Sequence, residues 1–171
     1  MRGPTDPFGQ PRRPSLPGLT GSGPRPAGDA KEDGDEAACR AFGFLRGQRD
    51  RALMVEFRLA TGDTVALPYS LLGPVRYNPS AGLLLRFAGD LVTLVLIRGS
   101  NLAAAVGGGS VNLTDRGLHR HRVVWVREMD AGEVAAADRS EPTVDAIEIA
   151  EFESQADLRA WLTKTAPAFA R

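Results

Sequence analysis

The stretch LVTLVLIRGSNL, residues 91–102, decides the fold class of this chain. Its first seven residues are apolar except for Thr93, and such a run indicates a strand that is covered on both faces. The run ends in the polar cluster RGSN, which is typical of a turn. From these residues alone, we expect Gly99 to let the chain turn at positive φ and Asn101 to cap a short helix that follows.

The preceding sequence predicts further strands joined by tight turns. Residues 53–59 alternate between two faces, which is the pattern of a strand with one solvent-exposed side. A TGD turn leads into a return strand over residues 64–67, and NPSAG and AGD turns bound another strand before the apolar run. The sequence therefore predicts an antiparallel β-meander or a small β-barrel.

Composition divides the chain into four parts. Residues 1–38 are predicted to be a disordered N-terminal tail, because seven prolines and seven glycines fall within the first 36 positions. Residues 39–128 are the predicted β-rich core domain, and residues 129–143 are an acidic mobile loop. Residues 144–171 are predicted to be a strand and a helix that pack on the core. The fold class is α+β, with short helices in addition to the C-terminal one.

Charge is distributed unevenly along a chain whose formal net charge is zero. Residues 40–127 hold twelve Arg against five Asp and Glu, a balance of +7. Residues 128–171 hold ten Asp and Glu against four Lys and Arg, a balance of −6. Two interpretations stay open: the acidic part neutralises the basic part within the molecule, or the basic part binds an anionic partner such as nucleic acid.

Cysteine content and hydropathy indicate which covalent links, metal clusters and cellular locations to expect for the protein. The single cysteine, Cys39, excludes an internal disulfide and a thiolate metal cluster. The sequence shows no apolar leader and no uninterrupted apolar stretch of about 18 residues. We therefore expect a cytoplasmic protein without a membrane segment.

The densest basic cluster comprises Arg116, Arg120, Arg122 and Arg127. These residues are candidate contacts for RNA or another anion, because arginine binds phosphate through two parallel hydrogen bonds. The alternative is a basic, solvated surface segment. Trp125 lies among valines and is expected in the core.

The remaining sequence patterns do not predict a metal site, a phosphate-binding loop or a catalytic site. His119 and His121 have a spacing that could place both on one side of a strand, but no further metal ligand lies at a matching spacing, so we expect no metal and no cofactor. The segment AVGGGS, residues 105–110, lacks the lysine and the spacing of a phosphate-binding loop and is predicted to be a linker. No nucleophile lies beside a base in a catalytic pattern, so we do not expect an enzyme.

Residues 53–102 resemble the Sm-like family, mainly in the segment IRGSN. In that family an apolar strand closes on a similar IRGN sequence. The resemblance implies a five-stranded barrel, a ring of six or seven subunits and RNA bound at the pore. Arg98, Gly99 and Asn101 are the residues that would carry over. The loop that would complete the base pocket contains Asn78 but no Asp in the expected place.

Two functions follow as expectations. The first is a non-catalytic interaction module that binds an unknown protein partner or a second copy of itself. The alternative is an Sm-like RNA-binding ring protein that uses Arg98 and Asn101 at the turn and the basic cluster outside it.

Overall fold

The structure of the protein is a computed structural model that describes residues 36–170. Within this range the chain forms nine strands, two α-helices and three 3₁₀ turns. The strands are β1 (Glu36–Ala38), β2 (Phe42–Leu45), β3 (Met54–Arg58), β4 (Thr64–Pro68), β5 (Leu72–Asn78), β6 (Gly82–Ala88), β7 (Val92–Arg98), β8 (Val123–Arg127) and β9 (Ala146–Phe152). The helices are α1 (Ala131–Ala135) and α2 (Gln155–Thr165), and the 3₁₀ turns are Tyr69–Leu71, Leu118–Arg120 and Pro167–Phe169. Neither α-helix in the described range is long and apolar enough to cross a membrane.

The strands form two sheets that share an apolar core. The first sheet has the order β1-β2-β8-β3-β4, and the second has the order β5-β6-β7-β9. The β-rich α+β fold with a C-terminal helix is confirmed, but the sheets do not close into a barrel. β4 ends at Pro68, which has no N–H to extend the ladder, and β5 pairs with β6 instead of β4. The β3–β8 pair is parallel, so the first sheet is not wholly antiparallel as the sequence predicted.

β7 is the strand predicted from the apolar run, and it is buried on both faces. Val95 and Ile97 contribute to the core that both sheets line. Leu94 and Leu96 point the other way, into a second cluster that includes Leu158 and other apolar residues of the C-terminal segment. Full burial of each such side chain contributes about 1.5–3 kcal/mol. Alternate residues of β7 therefore stabilise both apolar clusters.

A bulge in β8 changes which residues reach the core. Val126 pairs with Phe42 and Trp125 pairs with Gly43, but the next β2 residue, Phe44, pairs with Val123. One residue of β8 is therefore left unpaired between the last two pairs. Val123 and Val126 are therefore both fully buried. The predicted core position of Trp125 is wrong, because this residue pairs with Gly43 on the opposite face of the sheet.

The segments outside the predicted core also contain regular structure. Residues 1–35 of the predicted tail lie outside the described residues, and the last three tail residues form β1. The predicted acidic loop, residues 129–143, contains helix α1, which begins with a capping box formed by Asp130 and Glu133. Ser154 caps α2 by accepting a hydrogen bond from the Asp157 amide.

Candidate anion-binding site

Three of the predicted site residues line one cleft. Arg116, Arg120 and Arg122 lie around a space of about 410 Å³, and the remaining lining residues are Gln48, Gly109 and Ser110. We call this space the arginine cleft. It is built from the loop after β2, the turn over residues 106–111, and the segment that precedes β8.

Arg122 fixes the walls of the arginine cleft to one another. Its side chain is buried, with 3% of the residue exposed. Nη2 donates to the carbonyl oxygens of Leu45 and Arg46, each at 2.7 Å, and Nε donates to the Leu45 oxygen at 3.0 Å. Nη1 lies 3.5 Å from the Ser110 carbonyl oxygen. The loop after β2 and the glycine turn therefore meet at one guanidinium.

The Arg122 guanidinium has an electrostatically unfavourable position. Burial lowers its pKa below the ordinary value, and the positive charges of Arg51 and Arg120 lower this pKa further, while Asp50 acts in the opposite direction. Its hydrogen-bond acceptors are neutral carbonyl groups. Arg122 forms no ion pair with a carboxylate in the described part of the chain.

The glycine turn forms the second wall. A bridge between Val106 and Val111 closes it, and Gly107, Gly108 and Gly109 have φ values of 60°, 72° and 84°. Three successive positive φ values favour glycine strongly, which explains the sequence GGG at this position. The segment predicted as a linker is therefore a closed turn that contributes to the cleft.

Arg116 is attached to the glycine turn, whereas Arg120 is not. Arg116 Nη1 donates to the Gly109 carbonyl oxygen at 2.8 Å. Arg120 is exposed, and its side chain makes no hydrogen bond or ion pair within residues 36–170. The nearby Asp115 carboxylate accepts from Asn112 Nδ2 at 2.6 Å, and this hydrogen bond is the main reason that the pKa of Asp115 is lowered.

The structure separates Arg127 from the other three arginines of the predicted cluster. Its guanidinium donates to both carboxylate oxygens of Glu133, at 2.6 and 3.0 Å. This hydrogen-bonded pair raises the pKa of Arg127 and lowers that of Glu133. Arg127 does not line the arginine cleft.

Arg98 and Asn101 are also engaged within the molecule. Arg98 donates to Glu148 at 3.0 Å and to the Thr165 carbonyl oxygen, near the end of α2, at 2.8 Å. Asn101 Nδ2 donates to the carbonyl oxygens of Arg139 and Glu141 at 2.7 and 3.1 Å. The turn motif thus connects β7 to α2 and to the acidic segment.

The conformation of this turn differs from the sequence-based expectation. The positive φ, 55°, occurs at Asn101 rather than at Gly99, and no helix follows. Gly99 is required for another reason: a Cβ there would lie 1.9 Å from the Thr143 carbonyl oxygen. The chain needs glycine because another backbone segment packs directly against it.

The two histidines do not form a paired site. His121 stacks on the buried Tyr69 ring with a centroid distance of 4.4 Å, and Tyr69 donates to the Val123 carbonyl oxygen at 2.8 Å. His119 is exposed. The described residues contain no group of three or more His, Cys, Asp or Glu side chains that could hold a metal ion.

Sequence reasoning missed three lining residues of the cleft. Gln48 lies in the segment RGQRDR, residues 46–51, whose three arginines were a visible signal of a second basic element. Gly109 and Ser110 gave no such signal, because only the folded chain places the glycine turn beside Arg116 and Arg122.

Comparisons of the chain with protein-family models, with curated proteins and with solved structures found no match.

Proposed function

We propose that this protein is a non-catalytic interaction module that binds an acidic group of a protein partner in the arginine cleft. The observation that carries the proposal is a set of three arginines without a carboxylate partner among the described residues. One of the three, Arg122, is buried. An anionic group in the cleft would offset the repulsion among these charges, and this provides a physical reason for binding.

The lining chemistry supports binding rather than catalysis. Ser110 is the one lining residue with a hydroxyl group, and its Oγ donates to the Gly107 carbonyl oxygen at 2.9 Å. None of the six lining residues is a histidine or a carboxylate that could remove the hydroxyl proton. The cleft can supply cationic donors but not the base that activates a serine nucleophile.

The same lining favours a protein partner over RNA. Proteins that bind single-stranded nucleic acid combine basic residues with aromatic rings on which bases stack. No aromatic residue is among those that line the arginine cleft. Recognition there would rest on charge and hydrogen bonds, for which acidic side chains of a partner are suitable ligands. Binding of RNA in the cleft would instead support the Sm-like, RNA-binding alternative.

The setting that we propose is the cytoplasm. Cys39 is a free, partly buried cysteine, and a reducing compartment maintains a thiol in this state.

The test measures binding of three labelled probes by fluorescence anisotropy at constant ionic strength. The probes are a short glutamate-rich peptide, a lysine-rich peptide of the same length, and single-stranded RNA. We expect the acidic peptide to bind, and the double substitution Arg116→Gln and Arg120→Gln to weaken it by about tenfold or more, because each change removes charge-assisted hydrogen bonds.

A matched double variant controls for net charge. Arg159→Gln and Lys164→Gln remove two positive charges from exposed positions on α2, and these changes should leave binding unchanged. Equal loss in both double variants would reduce the effect to non-specific charge and contradict the proposal. Preferential, cleft-dependent binding of RNA would instead favour the nucleic-acid function. Light scattering on the same samples would show whether the partner is a second copy of the chain.

A further inference from the structure

We infer that the arginine cleft selects a phosphate monoester, carried by a phosphorylated side chain of the protein partner, over a carboxylate. The inference rests on the proposed function and specifies its ligand. The cleft presents three guanidinium groups and no carboxylate among its lining residues. A phosphorylated serine or threonine has a charge of about −1.5 to −2 at neutral pH, whereas a carboxylate has one negative charge, so the phosphate neutralises more of the cleft.

Two of the three guanidinium groups are already positioned by the protein. Arg122 is held by the carbonyl oxygens of Leu45 and Arg46, and Arg116 is held by that of Gly109. A ligand that binds to them therefore immobilises fewer flexible side chains than it would at an open basic surface. Arg120 is exposed and can reorient toward a bound group, because no other described residue holds its side chain.

The glycine turn beside the arginines also has backbone N–H groups without acceptors in the described part of the chain. Within residues 36–170, the N–H groups of Gly108 and Gly109 have no hydrogen-bond acceptor. A Cβ added to either residue would meet no atom within 4 Å, and Gly109 is one of the residues that line the arginine cleft. Successive backbone N–H groups in tight turns of this kind are common anion-binding elements.

The number and arrangement of donors fit phosphate. Arg120 and Arg116 retain N–H groups that form no hydrogen bond within residues 36–170, and Gly109, which lines the cleft, has an amide without an acceptor in the same range. A phosphate monoester has three terminal oxygens and can accept from these donors in several directions, whereas a carboxylate has two oxygens in one plane. Arginine pairs with phosphate through its planar fork, so the geometry of Arg120 should matter in addition to its charge.

The experiment uses three labelled peptides on the full chain. They have one glycine-rich sequence and differ at a central position, which is phosphoserine, glutamate or serine. We expect the phosphoserine peptide to bind about tenfold more tightly than the glutamate peptide, because one additional charge-assisted hydrogen bond contributes about 1.5 kcal/mol or more. Inorganic phosphate should displace it more effectively than acetate at equal ionic strength.

The substitution Arg120→Lys separates geometry from charge. It should weaken binding of the phosphoserine peptide, because lysine keeps the charge but loses the fork that pairs with two oxygens of the ligand. Arg159→Lys, on the exposed face of α2, is the matched control and should bind as the unmodified protein does. Binding of the phosphoserine peptide that Arg120→Lys leaves unchanged would overturn the role assigned to Arg120.

The outcomes distinguish this inference from the proposed function. If glutamate and phosphoserine peptides bind equally and both lose affinity in the Arg116→Gln, Arg120→Gln variant, the phosphate inference fails and the proposed function stands. If neither peptide binds, or if that variant binds as well as the unmodified protein, both fail. A single-stranded RNA without a terminal phosphate that displaces the phosphoserine peptide completely would identify phosphodiesters as the ligand and contradict the protein partner.

Discussion

The five arginines predicted as candidate anion contacts fall into two groups that differ in their neighbours. Arg98 and Arg127 each donate to a carboxylate at 3.0 Å or less. Arg116, Arg120 and Arg122 line a cleft and have no such partner in the described residues. The difference shows that a cluster of arginines in the sequence does not identify a binding surface. We propose that a guanidinium is available to a ligand where the fold brings no carboxylate into an ion pair with it.

The acidic half of the chain supplies the carboxylates of the paired region. Glu133 and Glu148 both lie within residues 128–171, the part with a balance of −6, and both reach arginines from the part with a balance of +7. Self-neutralisation is thus observed at two positions. None of the three arginines of the cleft forms an ion pair with a carboxylate among the described residues, and the proposed ligand would supply the negative charge there.

The largest effect on stability is expected at Arg122. Arg122→Met keeps most of the buried volume but deprives the Leu45 and Arg46 carbonyl oxygens of a donor. We expect a loss of about 2–4 kcal/mol in the free energy of unfolding, measured by urea denaturation, because each unsatisfied buried acceptor costs about 1–3 kcal/mol. Arg120→Met, in the same cleft but exposed, should change stability by less than about 0.5 kcal/mol. Equal losses in the two variants would contradict the distinction between Arg122 as a structural residue and Arg120 as a proposed ligand-binding residue.

A smaller loss of stability is expected at Arg98. Arg98→Met removes the hydrogen bond to the Thr165 carbonyl oxygen and the ion pair with Glu148. The two side chains are 40% and 42% exposed, so solvent screens the ion pair. We expect about 1–2 kcal/mol from both contacts together.

Hydrogen exchange localises the Arg98 effect. Protection of the amides in the last turn of α2 should fall in Arg98→Met, because the loss is at the end of that helix. Unchanged α2 protection together with lost RNA binding would show that Arg98 serves a ligand, as the Sm-like resemblance implies, and would contradict its grouping with the arginines that are paired within the molecule. The exposed Arg159→Met is the control for removal of an arginine from the same layer.

The parts of the fold that could be predicted are those with local causes. The apolar run gave β7, and the alternating residues with the TGD turn gave β3 and β4, whose turn has Gly62 at φ 93°. The position of β8 between β2 and β3 could not be predicted, because it depends on pairing between strands that are distant in sequence. The same long-range pairing creates the bulge that directs Trp125 away from the core.

The candidate site was predictable to a similar extent. Arg116, Arg120 and Arg122 are close in sequence, so their cluster was visible, and the structure places them around one cleft. Their separation from Arg127 was not visible, because the Glu133 carboxylate that pairs with Arg127 comes from a capping box in α1. The sequence-based expectation of a loop there left no reason to assign that carboxylate a fixed position.

The smallest effect is expected in the pH dependence of stability that the Arg127–Glu133 pair produces. The Arg127 hydrogen bond, followed by that of the Asp130 amide, lowers the pKa of Glu133 from its ordinary value of 4.5. A carboxyl group whose pKa is lower in the folded than in the unfolded protein stabilises the fold above the unfolded value, and this contribution disappears as the pH falls through the folded value. Glu133→Gln should therefore be less stable than the unmodified protein by a constant amount above about pH 5, and the difference should vanish in stronger acid.

Urea denaturation across this pH range measures the difference in stability, with Glu153→Gln, an exposed position, as the control. A difference that persists undiminished into strong acid would show that Glu133 acts through the shape of its capping box rather than through its charge. Arg127 would then lack the electrostatic neutralisation that sets it apart from the arginines of the cleft.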